Sequence, residues 1–98
     1  MKTRRSVVEV PGNVERMVKK AETIQADVLM LDLEDSVPTT DEAKEDARRL
    51  VGQFLDNGHY VAGEIAVRVN APDSPWFFDD VSWVTERSLS ALAVPKVH

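Results

Sequence analysis

Asp32, Glu34 and Asp35 crowd one short stretch of the chain, at the end of an apolar run. Carboxylates this close repel one another and lose hydration unless a cation or hydrogen-bond donors hold them. The chain has no cysteine, and an oxygen-only ligand set favours Mg2+ or Mn2+ over zinc. The same acids could instead cap the chain and pair with Arg68 or Lys96. Arg68 interrupts another apolar run, and a guanidinium there needs carboxylate partners or a carboxylate ligand. It is either a structural partner of the acids or a fork that binds a substrate carboxylate or polarises a carbonyl. Lys96 stands in an analogous place. Pro11-Gly12-Asn13 precedes a helical pattern, so it is either a tight turn with an N-cap or a seat for a phosphate on backbone N–H groups. Neither His59 nor His98 has a partner at i, i+4, and neither reads as a ligand or a base.

Four apolar runs would carry these groups: Ser6–Val10, Val28–Leu33, Ile65–Val69 and Leu89–Val94. Each has the length of a strand, and continuous apolar runs suit strands buried on both faces, as in a parallel sheet. Glu9 and Arg68 are the polar exceptions and require a reason. Between the runs, Val14, Met17, Val18, Ala21 and Ile24 repeat at helical spacing behind Asn13 as N-cap. Ala43, Ala47, Leu50, Val51, Phe54 and Leu55 make a second stripe, with Thr39 and Glu42 at capping-box spacing and Gly58 placed to end it. A third helix is expected from Phe78 to Arg87. Trp76, Phe77 and Phe78 read as packing under a loop. The order β-α-β-α-β-α-β with right-handed crossovers makes an α/β fold, a parallel sheet with helices outside. Polar residues collect after the C-terminal ends of all four strands, where such folds place their working loops.

The chain has 98 residues, 17 acidic and 12 basic, for a net charge of −5. Eight carboxylates and one lysine, Lys44, fall between Asp27 and Asp46. This acidity disfavours a nucleic-acid partner. No apolar run approaches the roughly 18 residues of a membrane span, and the basic start is too short of apolar residues for a signal peptide. A cytoplasmic protein is expected. No G-x-G-x-x-G or Walker motif occurs, so the Rossmann and P-loop readings fail.

Taken in order, the loops resemble the HpcH/HpaI aldolase family, in its citrate lyase β-subunit-like branch, and are similar to those of malyl-CoA and citramalyl-CoA lyases. The resemblance rests on Arg5-Ser6 through Val10-Pro11-Gly12-Asn13, Leu31-Asp32-Leu33-Glu34-Asp35-Ser36-Val37, Arg68-Val69-Asn70, Asp73-Ser74-Pro75-Trp76-Phe77-Phe78-Asp79-Asp80-Val81 and Pro95-Lys96-Val97. It implies that residues 1–98 are the N-terminal half, four strands and three helices, of one TIM (β/α)8 barrel. Met1 reads as a true start and the loss as C-terminal. The implied activity is Mg2+-dependent C–C bond cleavage of a 3-hydroxyacyl-CoA into acetyl-CoA and a 2-oxo acid, in an oligomer, with these 98 residues inactive alone. Arg68 would stabilise the oxo-acid oxygen, and Glu34 and Asp35 would hold metal-bound waters, the direct ligands lying on later strands. Pro11, Gly12 and Lys20 would lie along coenzyme A, Lys20 near a phosphate. Glu9 and Val14 depart from the resemblance, which places an aromatic or apolar residue and an arginine there. The alternatives are a related 2-oxo acid aldolase, an acyl-CoA thioesterase, or a non-catalytic half-barrel that binds a partner.

Overall fold

The structure is a computed structural model that describes residues 6–57 and 59–86, and the backbone of 91–93. Strands β1 (Val7–Pro11), β2 (Val28–Asp32), β3 (Glu64–Arg68) and β4 (Ala91–Ala93) alternate with helices α1 (Glu15–Lys20), α2 (Asp41–Asn57) and α3 (Phe77–Val84). The four strands form one sheet in the order β1-β2-β3-β4, and every neighbouring pair is parallel. The expected α/β order therefore holds. Lys96, His98, Gly58 and Arg87, and the outer residues of the expected fourth strand, lie outside the described residues.

Register explains the core. Val10, Leu31 and Val67 stand side by side, as do Leu29 and Ile65. Alternation sends all of them to one face. There they are buried with Ala47, Val51, Phe54 and Leu55 of α2, and with Val18 and Ala21. Each such aliphatic side chain contributes roughly 1.5–3 kcal/mol on burial. The opposite face carries Val7, Glu9, Pro11, Met30, Asp32, Ala66 and Arg68. Strand burial on both faces, expected from the continuous runs, is not found: Val7 is 54% exposed. The described helices cover one face; on the other, Val7 and Glu9 at the β1 edge are exposed, while Ala66 and Asp32 are buried toward the sheet centre.

Helix ends differ from the expected ones. Val14, not Asn13, is the N-cap of α1, and it makes no side-chain cap bond. Asn13 Oδ1 is buried without a hydrogen-bond partner. The helix tightens into a 3-10 turn over Ala21–Thr23, so Ile24 falls beyond it. Thr40, one residue after the expected Thr39, caps α2: its Oγ1 accepts from the Ala43 N–H at 3.2 Å. That puts Ala43 rather than Glu42 opposite the cap and leaves no capping box. Helix α3 starts at Phe77, which packs against the core. Phe78 is 80% exposed, contrary to expectation, because the next helical position turns it to solvent.

Candidate functional site

Strand β2 ends at Asp32, so the alternation that would place Asp32 and Glu34 on one face stops before Glu34. The ladder nevertheless continues. Gly12 N–H donates to Asp32 O at 2.8 Å, and Leu33 N–H donates to Arg68 O at 2.9 Å. These bonds bring the ends of β1, β2 and β3 level. Gly12 is where the approach is closest: a Cβ there would lie 2.6 Å from Asp32 O and 2.9 Å from Val51 Cγ2. The turn reading of Pro11-Gly12 thus has a physical cause. The Gly12 amide is committed to the sheet, which takes away one N–H of the alternative phosphate seat.

Asp32 is the hub of the site. The residue is 1% exposed. Arg68 grips it with two bonds, Nε to Oδ1 at 2.9 Å and Nη2 to Oδ2 at 3.0 Å. The loop then folds back: Glu34 N–H donates to Oδ1 at 2.9 Å, and Ser36 N–H and Oγ donate to Oδ2 at 2.9 and 2.6 Å. Burial works to raise the Asp32 pKa, but the bonds from Arg68, Ser36 and Glu34 outweigh it and hold the carboxyl well below the usual range. The hydrogen bond to Asp32 in turn raises Arg68 above the ordinary arginine value against the opposing effect of burial. Arg68 Nη2 also donates to Glu9 Oε1 at 3.0 Å, and Glu34 Oε1 lies 3.8 Å from Nε. The two polar exceptions in apolar strands therefore explain each other, reaching across β2 on the face opposite the helices. Arg68 Nη1 has no partner among the described residues.

Of the sequence-predicted site residues, Arg68, Glu34 and Pro11 meet here, and Asp35 is exposed beside them on the same loop. Lys20 does not join them: it is exposed at the far end of α1 from the Pro11 turn. Among the described residues no group of three or more acidic or histidine side chains could hold a metal ion. Asp32 is already saturated with donors. What remains is the carboxylates of Glu34 and Asp35, hard oxygen donors that fit Mg2+ or Mn2+ held through water but do not amount to a direct ligand set.

Two residues escaped the sequence reading. Lys44, on α2, is 2% exposed. Its Nζ donates to the carbonyls of Leu33, Glu34 and Val37 at 3.2, 3.0 and 3.2 Å. Burial lowers its pKa, partly offset by Glu34, Asp32, Asp80 and Asp35. A signal existed: Lys44 precedes Ala47 and Val51 by three and seven positions, inside the apolar stripe. Asp80, on α3, is fully buried and accepts from the backbone N–H of Asn70 at 2.8 Å and from the Asn70 side chain. It ties the segment after Arg68 to α3.

Parallel strands whose C-terminal ends carry an arginine held among carboxylates define the class: an α/β protein with a polar site at the strand ends. The chain belongs to the HpcH/HpaI aldolase/citrate lyase family, whose model matches residues 5–98. It is 41% identical over 95 residues to the citrate lyase subunit beta of Escherichia coli K12, covering 97% of this chain and 31% of that protein. It is 38% identical over 93 residues to a (3S)-malyl-CoA thioesterase of Cereibacter sphaeroides, covering 95% of this chain and 32% of that protein. In structure it is similar to protein CitE of Mycobacterium tuberculosis, solved with magnesium, acetoacetate and coenzyme A. The TM-score is 0.69 at 25% identity, over 95% of this chain and 32% of that one. The chain thus spans about a third of the length of the proteins it matches. No helix among the described residues is long and apolar enough to cross a membrane.

Proposed function

We propose that these 98 residues form the first half of a single (β/α)8-barrel domain and that the whole protein is a Mg2+-dependent lyase. It would cleave a 3-hydroxyacyl-CoA of malyl, citramalyl or citryl type into acetyl-CoA and a 2-oxo acid, as a cytoplasmic homo-oligomer. The observation that carries this reading is the Arg68–Asp32 pair at level strand ends, with Arg68 Nη1 having no partner among the described residues. The sheet face that carries the pair would become the barrel interior, and Glu9, Asp32 and Arg68 stand near the C-terminal strand ends, where such barrels keep their active sites. In cleavage the 3-hydroxyl loses its proton and the C2–C3 bond breaks. The hydroxyl-bearing carbon becomes the carbonyl of the oxo acid. The electron pair passes to the thioester enolate, which takes up a proton to give acetyl-CoA.

Asp32 orients the Arg68 guanidinium, so Nη1 can donate to the oxo-acid oxygen where charge develops. Glu34 and Asp35 would hold Mg2+ or Mn2+ through water, the ion contributing charge stabilisation to the oxo acid when bound. Pro11 and Gly12 would flank coenzyme A and Lys20 a phosphate of it. Direct metal ligands would have to come from elsewhere in the protein, so the 98 residues alone would turn over nothing.

The test is incubation of the full-length protein with Mg2+ and malyl-CoA, citramalyl-CoA or citryl-CoA. Release of acetyl-CoA with an equal amount of oxo acid supports the lyase, and release of neither excludes it. A thioesterase reading is favoured by the similarity to the malyl-CoA thioesterase. It predicts free coenzyme A and the intact hydroxy acid from the same incubation.

A further inference from the structure

Lys44 has a geometry that the proposed chemistry leaves unused. An ammonium has three N–H donors, and all three point at carbonyls of the loop that carries Glu34 and Asp35. None is left for a ligand, so Lys44 cannot itself act on substrate. Above it lies the Trp76 ring, with Nζ 5.1 Å from the ring centroid. Trp76 belongs to the loop after β3, and its Nε1 donates to Asp41 Oδ1 at 2.7 Å, at the first residue of α2. Lys44 and its own helix thereby fasten the loop after β2 to the loop after β3. A cavity of about 220 Å3 opens between the two loops, lined by Glu34, Asp35, Lys44, Asn70 and Trp76 among others. An aliphatic side chain would suit this position of the apolar stripe of α2, but it would leave the carbonyls of Leu33 and Val37 without this donor.

We infer that Lys44 is a positioning residue for the metal-contacting loop: by holding the carbonyls of residues 33, 34 and 37 it fixes where the carboxylates of Glu34 and Asp35 stand. The inference rests on the proposed Mg2+ contact of those two acids. Groups that orient metal contacts at one remove typically change metal affinity 10- to 100-fold when removed.

The test uses the full-length protein, with Lys44→Met, which keeps length and apolar stem, and Lys44→Gln, which keeps a donor. Mg2+ is titrated calorimetrically without acyl-CoA, and kcat and KM are measured at low and saturating Mg2+. Lys44→Met should weaken Mg2+ binding at least tenfold, with Lys44→Gln between it and the parent. The KM for acyl-CoA should be unchanged, and kcat should recover to within about threefold of the parent at saturating Mg2+. A folded Lys44→Met protein that binds Mg2+ as the parent does overturns the inference, and where only Lys44→Gln folds, parental binding by it does the same. Failure of both variants to fold also overturns it, since Lys44 would then be a residue of folding alone. A parent that binds no Mg2+ removes the metal reading and this inference with it, an outcome distinct from equal binding by parent and variant.

Discussion

Replacing Arg68 by alanine strips Asp32 of the one cation bonded to it among the described residues. Asp32 is 1% exposed while Arg68 covers it, and water admitted by the truncation would replace the guanidinium only in part. Breaking a buried pair in this way costs about 3–5 kcal/mol. Three donors stay on the carboxylate, the N–H groups of Glu34 and Ser36 and the Ser36 hydroxyl, which puts Arg68→Ala near the low end, about 3 kcal/mol. Arg68→Lys keeps the charge but cannot make the planar two-point contact, and loses on the order of one charge-assisted bond, about 1.5–3 kcal/mol. If Arg68 bound only substrate, stability would hardly change. The structure makes it both a partner of Asp32 and a candidate ligand, so both readouts should move. Urea unfolding of the full-length protein should show the stability loss at unchanged slope. In the same samples, Arg68→Lys should lower kcat by about 10²–10³-fold, the effect of losing an oxyanion donor. Unfolding of Arg68→Ala within about 1 kcal/mol of the parent would refute the pairing. A folded Arg68→Lys enzyme with parental kcat would refute the ligand role and leave the pairing standing.

Gly12→Ala should destabilise by about 1–3 kcal/mol, the usual cost of overpacking, because its Cβ would meet Asp32 O and Val51 Cγ2; a thermal melt at the parental midpoint would show that the strand ends are not this close. Glu9→Gln removes a partly exposed negative charge from Arg68. It should tighten binding of pyruvate about three- to fivefold, from roughly 1 kcal/mol of repulsion at contact distance in high dielectric, and leave neutral methyl pyruvate unaffected; equal gains for both would rule out a charge effect. Asp32 governs the acid limb of stability. Its folded pKa lies below the ordinary 3.8, so its contribution is present in full above that pH and is lost as pH falls through the folded value. The stability difference between parent and Asp32→Asn, measured by urea at successive pH, should therefore hold constant down to about pH 4 and shrink below it. A difference already gone at pH 5 would contradict the lowered pKa.

The sheet was legible because its strands are continuous apolar runs of strand length, but those runs read as buried on both faces, and only the register shows that Leu29, Leu31, Ile65 and Val67 are the residues turned to the helices. The pairing of Arg68 with the acids was one of two readings of an arginine in an apolar run, and the structure gives it as Asp32 and Glu9. Which acid would take the guanidinium was not legible. That depended on β2 ending at Asp32, where the Glu34 and Ser36 N–H groups turn back onto its carboxylate. Asn13 failed as a cap because the helix begins one residue later. Lys44 was passed over as one charge in an acidic run, since charge composition carries no direction. Only its place in the α2 stripe could have marked it as inward-facing.

The balance of charge around Arg68 gives the metal reading its physical basis. One guanidinium faces three carboxylates, Asp32, Glu9 and Glu34. Asp32 alone already neutralises it, through the shorter and doubly bonded contact. What an anionic oxo acid would meet at Nη1 is therefore a cation whose charge is spent, beside Glu9 and Glu34 and close to Asp35. Such a site repels the product of the proposed reaction unless positive charge is added. Lys44 adds its charge only from behind the loop, where its protons are turned to carbonyls, so it offers the ligand no bond. A divalent cation held by the loop acids would reverse the local sign while Arg68 would supply direction. On the proposed reading Arg68 would aim the ligand and the added cation would attract it, each doing what the other cannot.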